Sequence, residues 1–291
     1  MSGTPPVSTL DAWRREPFSW QGMTHDCYEQ GEGPGVVLLP ELPGITPAVL
    51  GLAQHVVDSG FTVVIPSLFG VPGRPDTDPR AGASIVRACI SREFAAFATN
   101  ARRPVADYVR ALAHSLGGRT PGPGVGVIGM CFSGGFALAA AVDGAVLAAV
   151  LSQPSLPLPV TAAHRADPGL SEAELLEVAR RTRDEGLCVL GLRFSEDGLA
   201  PGQRFATLRE RLGGAFEYIE LDSGPGNGGG FGRRAHSVLT REVRETPGHL
   251  ALEARERMVA FLRRRLAPGA PALPEVPVAP AAATASDPEA D

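Results

Sequence analysis

The chain contains no lysine, and all 27 of its basic side chains are arginine. That bias points to coding composition rather than to function. It also means that the glycine run Gly226-Asn-Gly-Gly-Gly230 lacks the Gly-Lys-Ser/Thr of a phosphate loop, so it reads as a flexible insert. Cysteine is sparse: Cys27, Cys89, Cys131 and Cys188 are scattered and form no Cys-x-x-Cys pair. A zinc ribbon and a dithiol redox motif are therefore excluded, and no metal or organic cofactor is expected. No apolar run has the length of a membrane span. The net charge of −5 leaves no basic footprint for nucleic acid. Residues 1–15 are polar and carry proline, without the apolar core of a signal peptide. The expectation is a cytoplasmic protein with neither a membrane nor a nucleic-acid partner. Its oligomeric state is left open.

What is present suits a globular domain, with 44% hydrophobic and 20% charged residues over 291 positions. Short continuous apolar runs at 36–40, 61–66, 125–129, 146–151, 187–194 and 215–221 read as strands buried on both faces. Between them lie helical patterns at 47–59, 171–185 and 201–212, with a closing helix at 250–266. Residues 83–116 read as one or two helices broken at Pro104. Ser171 and Glu174 have capping-box spacing. Repeated strand–helix units predict an α/β fold, a mostly parallel central sheet with helices on both faces. The domain is expected to span residues 20–267, after an N-terminal extension at 1–19. An Ala/Pro-rich disordered tail is expected at 268–291.

The densest signal is Val125-Gly-Val-Ile-Gly-Met-Cys131-Phe-Ser133-Gly-Gly, a strand running into a small-x-Cys-x-small turn and then an Ala/Leu helix. This is the layout of a nucleophile elbow, which lifts one reactive side chain above a parallel sheet. Gly129 and Ser133 supply the small residues on either side of Cys131. The first N–H groups of the following helix favour a thiolate and the oxyanion of acyl transfer. Such a nucleophile needs a base and a group to orient it, in the chain order nucleophile, acid, histidine. Asp197 follows the 187–194 strand and His236 follows the 215–221 strand, both at the C-terminal edge of the sheet. Ser133 is an alternative nucleophile, Glu196 an alternative acid and His249 an alternative base. Glu41 could also simply cap the helix that follows it.

The elbow, the Asp-x-x-x-Pro loop at Asp197, the Ala-His-Ser loop at His236 and the segment Leu39-Pro-Glu41-Leu42-Pro-Gly together resemble the dienelactone hydrolase family of α/β-hydrolases. The resemblance covers roughly residues 20–266. It implies an α/β-hydrolase fold and hydrolysis of a small ester or lactone through a Cys131 acyl-enzyme. By the same resemblance His236 is the general base and Asp197 its partner, while Glu41 controls the thiol. The oxyanion would rest on the backbone N–H groups of Leu42 and Phe132. Arg92 and Arg241 are the candidates for gripping a carboxylated substrate. The chain departs from the family in carrying Ser133 after the cysteine, Thr240 where an arginine stands, and the insert at 224–232. Two rival readings follow: a Ser133-dependent esterase or thioesterase, and an inert binding module on the same fold. A His-assisted thiol also predicts turnover that rises through the titration of His236 and then levels off.

Overall fold

The computed structural model describes residues 3–75, 104–267 and 269. Its centre is an eight-stranded sheet in the order β1-β2-β4-β3-β5-β6-β7-β8. The strands are β1 (Arg14–Trp20), β2 (Met23–Gln30), β3 (Gly35–Leu39), β4 (Thr62–Pro66), β5 (Val125–Met130), β6 (Val146–Ser152), β7 (Cys188–Phe194) and β8 (Phe216–Leu221). From β4 to β8 every pairing is parallel. The hairpin β1–β2 adds two antiparallel strands at one edge.

The parallel strands read as unbroken apolar runs because both of their faces are covered. In β3, Val36 and Leu38 point into one core with Val49 of α1 (Pro47–Asp58) and Phe261 of α7 (Leu250–Leu266). Val37 and Leu39 point into the other, with Tyr108 of α2 (Pro104–Gly117) and Phe136 of α3 (Gly134–Ala140). Each of these β3 side chains is fully buried, which stabilises the fold by roughly 1.5–3 kcal/mol apiece. The expected architecture, a mostly parallel sheet between two helical layers, is the one observed.

Local signals place the remaining helices. Thr46 caps α1, its hydroxyl accepting from Val49 N–H, and Pro47 occupies the first turn. The capping box of Ser171 and Glu174 starts α5 (Glu172–Asp184). Pro201 precedes α6 (Gly202–Leu212). Pro104 opens α2 at the position where a break was expected, since its missing N–H costs nothing in a first turn. The stretch expected as helix at 83–103 lies outside the described residues, as do Cys89 and Arg92. A five-residue helix, α4 (Ala162–Ala166), interrupts the proline-rich segment after β6. The sheet also begins earlier than residue 20, because β1 crosses that boundary.

Two arginines bind backbone at the ends of these elements. Buried Arg181 on α5 donates to the carbonyls of Ala141, Asp143, Gly144 and Val146, joining the end of α3 to the start of β6. Buried Arg204 on α6 donates to Pro154, Pro157, His164 and Asp167, fixing the segment that leaves β6. None of the described helices is long and apolar enough to cross a membrane.

Candidate active site

Four loops at the C-terminal ends of β3, β5, β7 and β8 meet with the segment after β6. The β5 loop is the elbow. Cys131 has φ +52, a left-handed conformation that a non-glycine residue adopts only under constraint. The constraint is visible on both sides. A Cβ at Gly129 would stand 2.6 Å from Ser133 O, so nothing larger than glycine fits there. The Ser133 hydroxyl donates toward Leu39 O (3.1 Å) and Met130 O (3.0 Å) and accepts from Met130 N–H (3.1 Å). Ser133 is wholly buried and ties the elbow to the end of β3. Its hydroxyl is thus occupied within the turn. Cys131, in contrast, is only partly buried.

Asp197 and His236 come together from loops 39 residues apart. His236 Nδ1 lies 2.7 Å from Asp197 Oδ2. The other Asp197 oxygen accepts from Leu199 N–H at 3.0 Å, which fixes the carboxylate plane. Arg193, at the end of β7, holds the same loop by donating to Ala200 O and Ser195 O, both at 2.7 Å, and pairs with Glu220. Glu196 points elsewhere, to Arg233 at 3.7 Å. His249 stands at the N-terminal boundary of α7, makes no side-chain capping hydrogen bond there, and packs edge-on against Phe231.

The charge state of His236 follows from its neighbours. Burial works against an imidazolium. The hydrogen bond with Asp197 and the interaction with the Cys131 sulfur outweigh it and push the His236 pKa up to about 10. Nδ1 faces Asp197, and Nε2 is buried with no hydrogen-bond partner among the described residues. Ser155, from the segment after β6, supplies a second contact, its Oγ 3.5 Å from Cys131 Sγ.

Glu41 is almost fully buried at the end of β3, and its carboxylate is satisfied by neutral donors. Ser237 Oγ donates to it at 2.8 Å, Gln153 Nε2 at 3.3 Å, and Thr240 Oγ1 donates to its other oxygen. Glu41 does not cap α1, since Thr46 does. It joins the Leu42 loop to the loop that carries His236. Gln153, buried and at φ +37, completes that joint by accepting from Val238 N–H. Phe132 is buried edge-on against Phe69, and Leu42 is half-buried. Arg241 is exposed, in the turn after Thr240.

The glycine-rich insert is organised rather than loose. Asn227 donates to Gly224 O and Phe231 O and accepts from Phe231 N–H. Phe231 then anchors on Phe194 with ring centroids 4.8 Å apart. Among the described residues no three His, Cys, Asp or Glu side chains converge to hold a metal ion.

A strained strand-to-helix elbow and an Asp–His pair on neighbouring loops, above the C-terminal edge of a mostly parallel sheet, define the α/β-hydrolase class. The model of the dienelactone hydrolase family matches residues 23–264, and the chain belongs to that family. It is 32% identical over 114 residues to a carboxymethylenebutenolidase of Rhodococcus opacus, a match covering 39% of this chain and 40% of that protein. Among solved structures it resembles a dienelactone hydrolase from Anabaena variabilis, at 16% identity and TM-score 0.55, covering 91% of this chain and 100% of that chain. A dienelactone hydrolase-like promiscuous phosphotriesterase from metagenomic libraries is similar at 17% identity and TM-score 0.57, with 91% and 100% covered. At these identities the structural likeness carries the fold alone.

Proposed function

We propose that this protein hydrolyses a small ester or lactone through a thioester on Cys131, with His236 and Asp197 as its partners. The observation that carries this reading is the 2.7 Å Asp197–His236 contact together with the high His236 pKa produced in part by the Cys131 sulfur. His236 holds the proton that Cys131 gives up when its sulfur attacks. The thiolate attacks the carbonyl carbon, and the negative charge moves to the carbonyl oxygen. Backbone N–H groups of Phe132 and Leu42 receive that oxyanion. His236 gives its Nε2 proton to the leaving alkoxide as the acyl–oxygen bond breaks. Water then adds to the thioester, its proton passing to His236, and the thiolate departs. Asp197 holds the ring in orientation and stabilises each imidazolium.

The occupied, buried hydroxyl of Ser133 supports Cys131 as the nucleophile in preference to Ser133. The partners of Glu41 are the neutral side chains of Thr240, Ser237 and Gln153, which favours substrates whose recognition does not depend on a cation at that point. The test is hydrolysis of cis-dienelactone and of p-nitrophenyl acetate by the wild type and by Cys131→Ala. Cys131→Ala is expected to lose at least about a thousandfold in kcat/KM. Full activity in Cys131→Ala, with loss in Ser133→Ala, would overturn the assignment. No turnover by the wild type together with an unreactive Cys131 would favour the inert binding module.

A further inference from the structure

We propose that Ser155 is a further catalytic residue, whose hydroxyl donates to the Cys131 sulfur and holds negative charge there beside His236. This rests on the reading of Cys131 as the nucleophile. Three observations carry it. Ser155 Oγ lies 3.5 Å from Cys131 Sγ, within reach of an O–H···S hydrogen bond. Ser155 is only 3% exposed, so water does not compete effectively for that contact. Its backbone N–H donates to Cys131 O at 3.0 Å, which locks the two residues together independently of the side chains.

The surrounding segment is built to keep this register. Arg204 binds the carbonyls on both sides of Ser155, at Pro154 and Pro157. Pro154 packs so tightly on the elbow helix that a Cβ at Gly134 would stand 2.8 Å from Pro154 Cα. The elbow and Ser155 therefore form one packed unit rather than a loop facing a site.

The direction of the bond follows from chemistry. A thiolate can only accept, whereas a hydroxyl carries one proton to give. The ionised sulfur consequently orients Ser155 Oγ–H toward itself. In acylation this donor must be given up as charge leaves sulfur, so it opposes attack slightly. In deacylation it assists. Water adds to the thioester carbon, its proton moves to His236, the carbon–sulfur bond breaks, and the electron pair returns to a sulfur that already faces a donor. The products are the free acid and the thiolate–imidazolium pair, with no other reactant consumed. Ser155 thus favours thiolate departure, the step for which a thioester enzyme needs help at sulfur.

The test compares wild type, Ser155→Ala, Ser155→Thr and Cys131→Ala. Two readouts are taken: the pH midpoint of iodoacetamide alkylation mapped to Cys131, and the burst and steady-state phases of p-nitrophenyl acetate hydrolysis. Ser155→Ala is expected to raise the alkylation midpoint by about one pH unit, as befits one lost hydrogen bond to a charge. Its steady-state rate should fall about tenfold while the burst is retained, so acyl-enzyme accumulates. Ser155→Thr, which keeps the hydroxyl, should recover most of both. An unchanged midpoint and an unchanged steady-state rate in Ser155→Ala, with Cys131→Ala inactive, would overturn the role of Ser155 alone. Full turnover in Cys131→Ala would overturn the nucleophile reading and the role of Ser155 with it.

Discussion

His236 sits between an acid and a thiol, and its proton affinity is set by both. Burial alone would lower its pKa, and only Asp197 and Cys131 together lift it to about 10. Removing either partner should therefore bring it back toward the ordinary value of about 6.5. Titration of the His236 ring by NMR in Cys131→Ala and Asp197→Asn is expected to show a lowered pKa in both. A ring that still titrates near 10 in Cys131→Ala would mean that sulfur contributes nothing. Asp197→Asn should also cost about a thousandfold or more in turnover, because the amide cannot hold an imidazolium in the same way. The three residues of this set were legible in the sequence, since each sits at a position the chain order of elbow enzymes prescribes. Ser155 and Gln153 were not. Each acts across a gap of sequence that no local pattern encodes: Ser155 touches a residue 24 positions away, and Gln153 reaches Glu41 across 112.

Elements were legible in proportion to their burial. The central strands announce themselves as apolar runs because both faces are covered. The edge strand β1 does not, since nearly all of its side chains are exposed and neither face imposes an alternation. Its only signal is the two-residue turn Gln21-Gly22, with φ of 47 and 82, which closes the hairpin by pairing Trp20 with Met23. The insert at 224–232 misleads in the opposite sense. Its glycines suggest looseness, yet Asn227 and Phe231 organise it through contacts that composition does not reveal. Arg204 is the clearest hidden connection between elements, a buried cation that binds four carbonyls. Arg204→Met is expected to destabilise the protein by about 3 kcal/mol, because several buried carbonyls lose their partner at once. Arg204→Lys should recover little, as an ammonium cannot span the same set. Urea denaturation midpoints would check both, and a loss below about 0.5 kcal/mol in Arg204→Met would contradict the clamp.

The whole molecule couples this site to pH. A histidine whose folded pKa is raised contributes stability that is fully present below about pH 6.5 and is lost as pH rises through about 10. Cys27 adds to the same trend above pH 9, since burial pushes its thiol up to about 11 and the fold favours the neutral form. The urea midpoint should therefore fall between pH 7 and pH 10, and His236→Gln should flatten the part below pH 9. Activity should follow the same proton. Instead of rising to a plateau, as a histidine of ordinary pKa would give, the acylation rate is expected to decline above about pH 10 as the imidazolium loses the proton needed by the leaving group. All of this depends on Cys131 as the atom that carries the acyl group. The most direct measurement is acid quenching during turnover of p-nitrophenyl acetate, followed by mass spectrometry with fragmentation of the elbow peptide. One acetyl group is expected on Cys131 in the wild type, retained in Ser133→Ala and absent from Cys131→Ala. An acetyl group on Ser133, or rapid turnover with no acylated elbow residue at all, would contradict it.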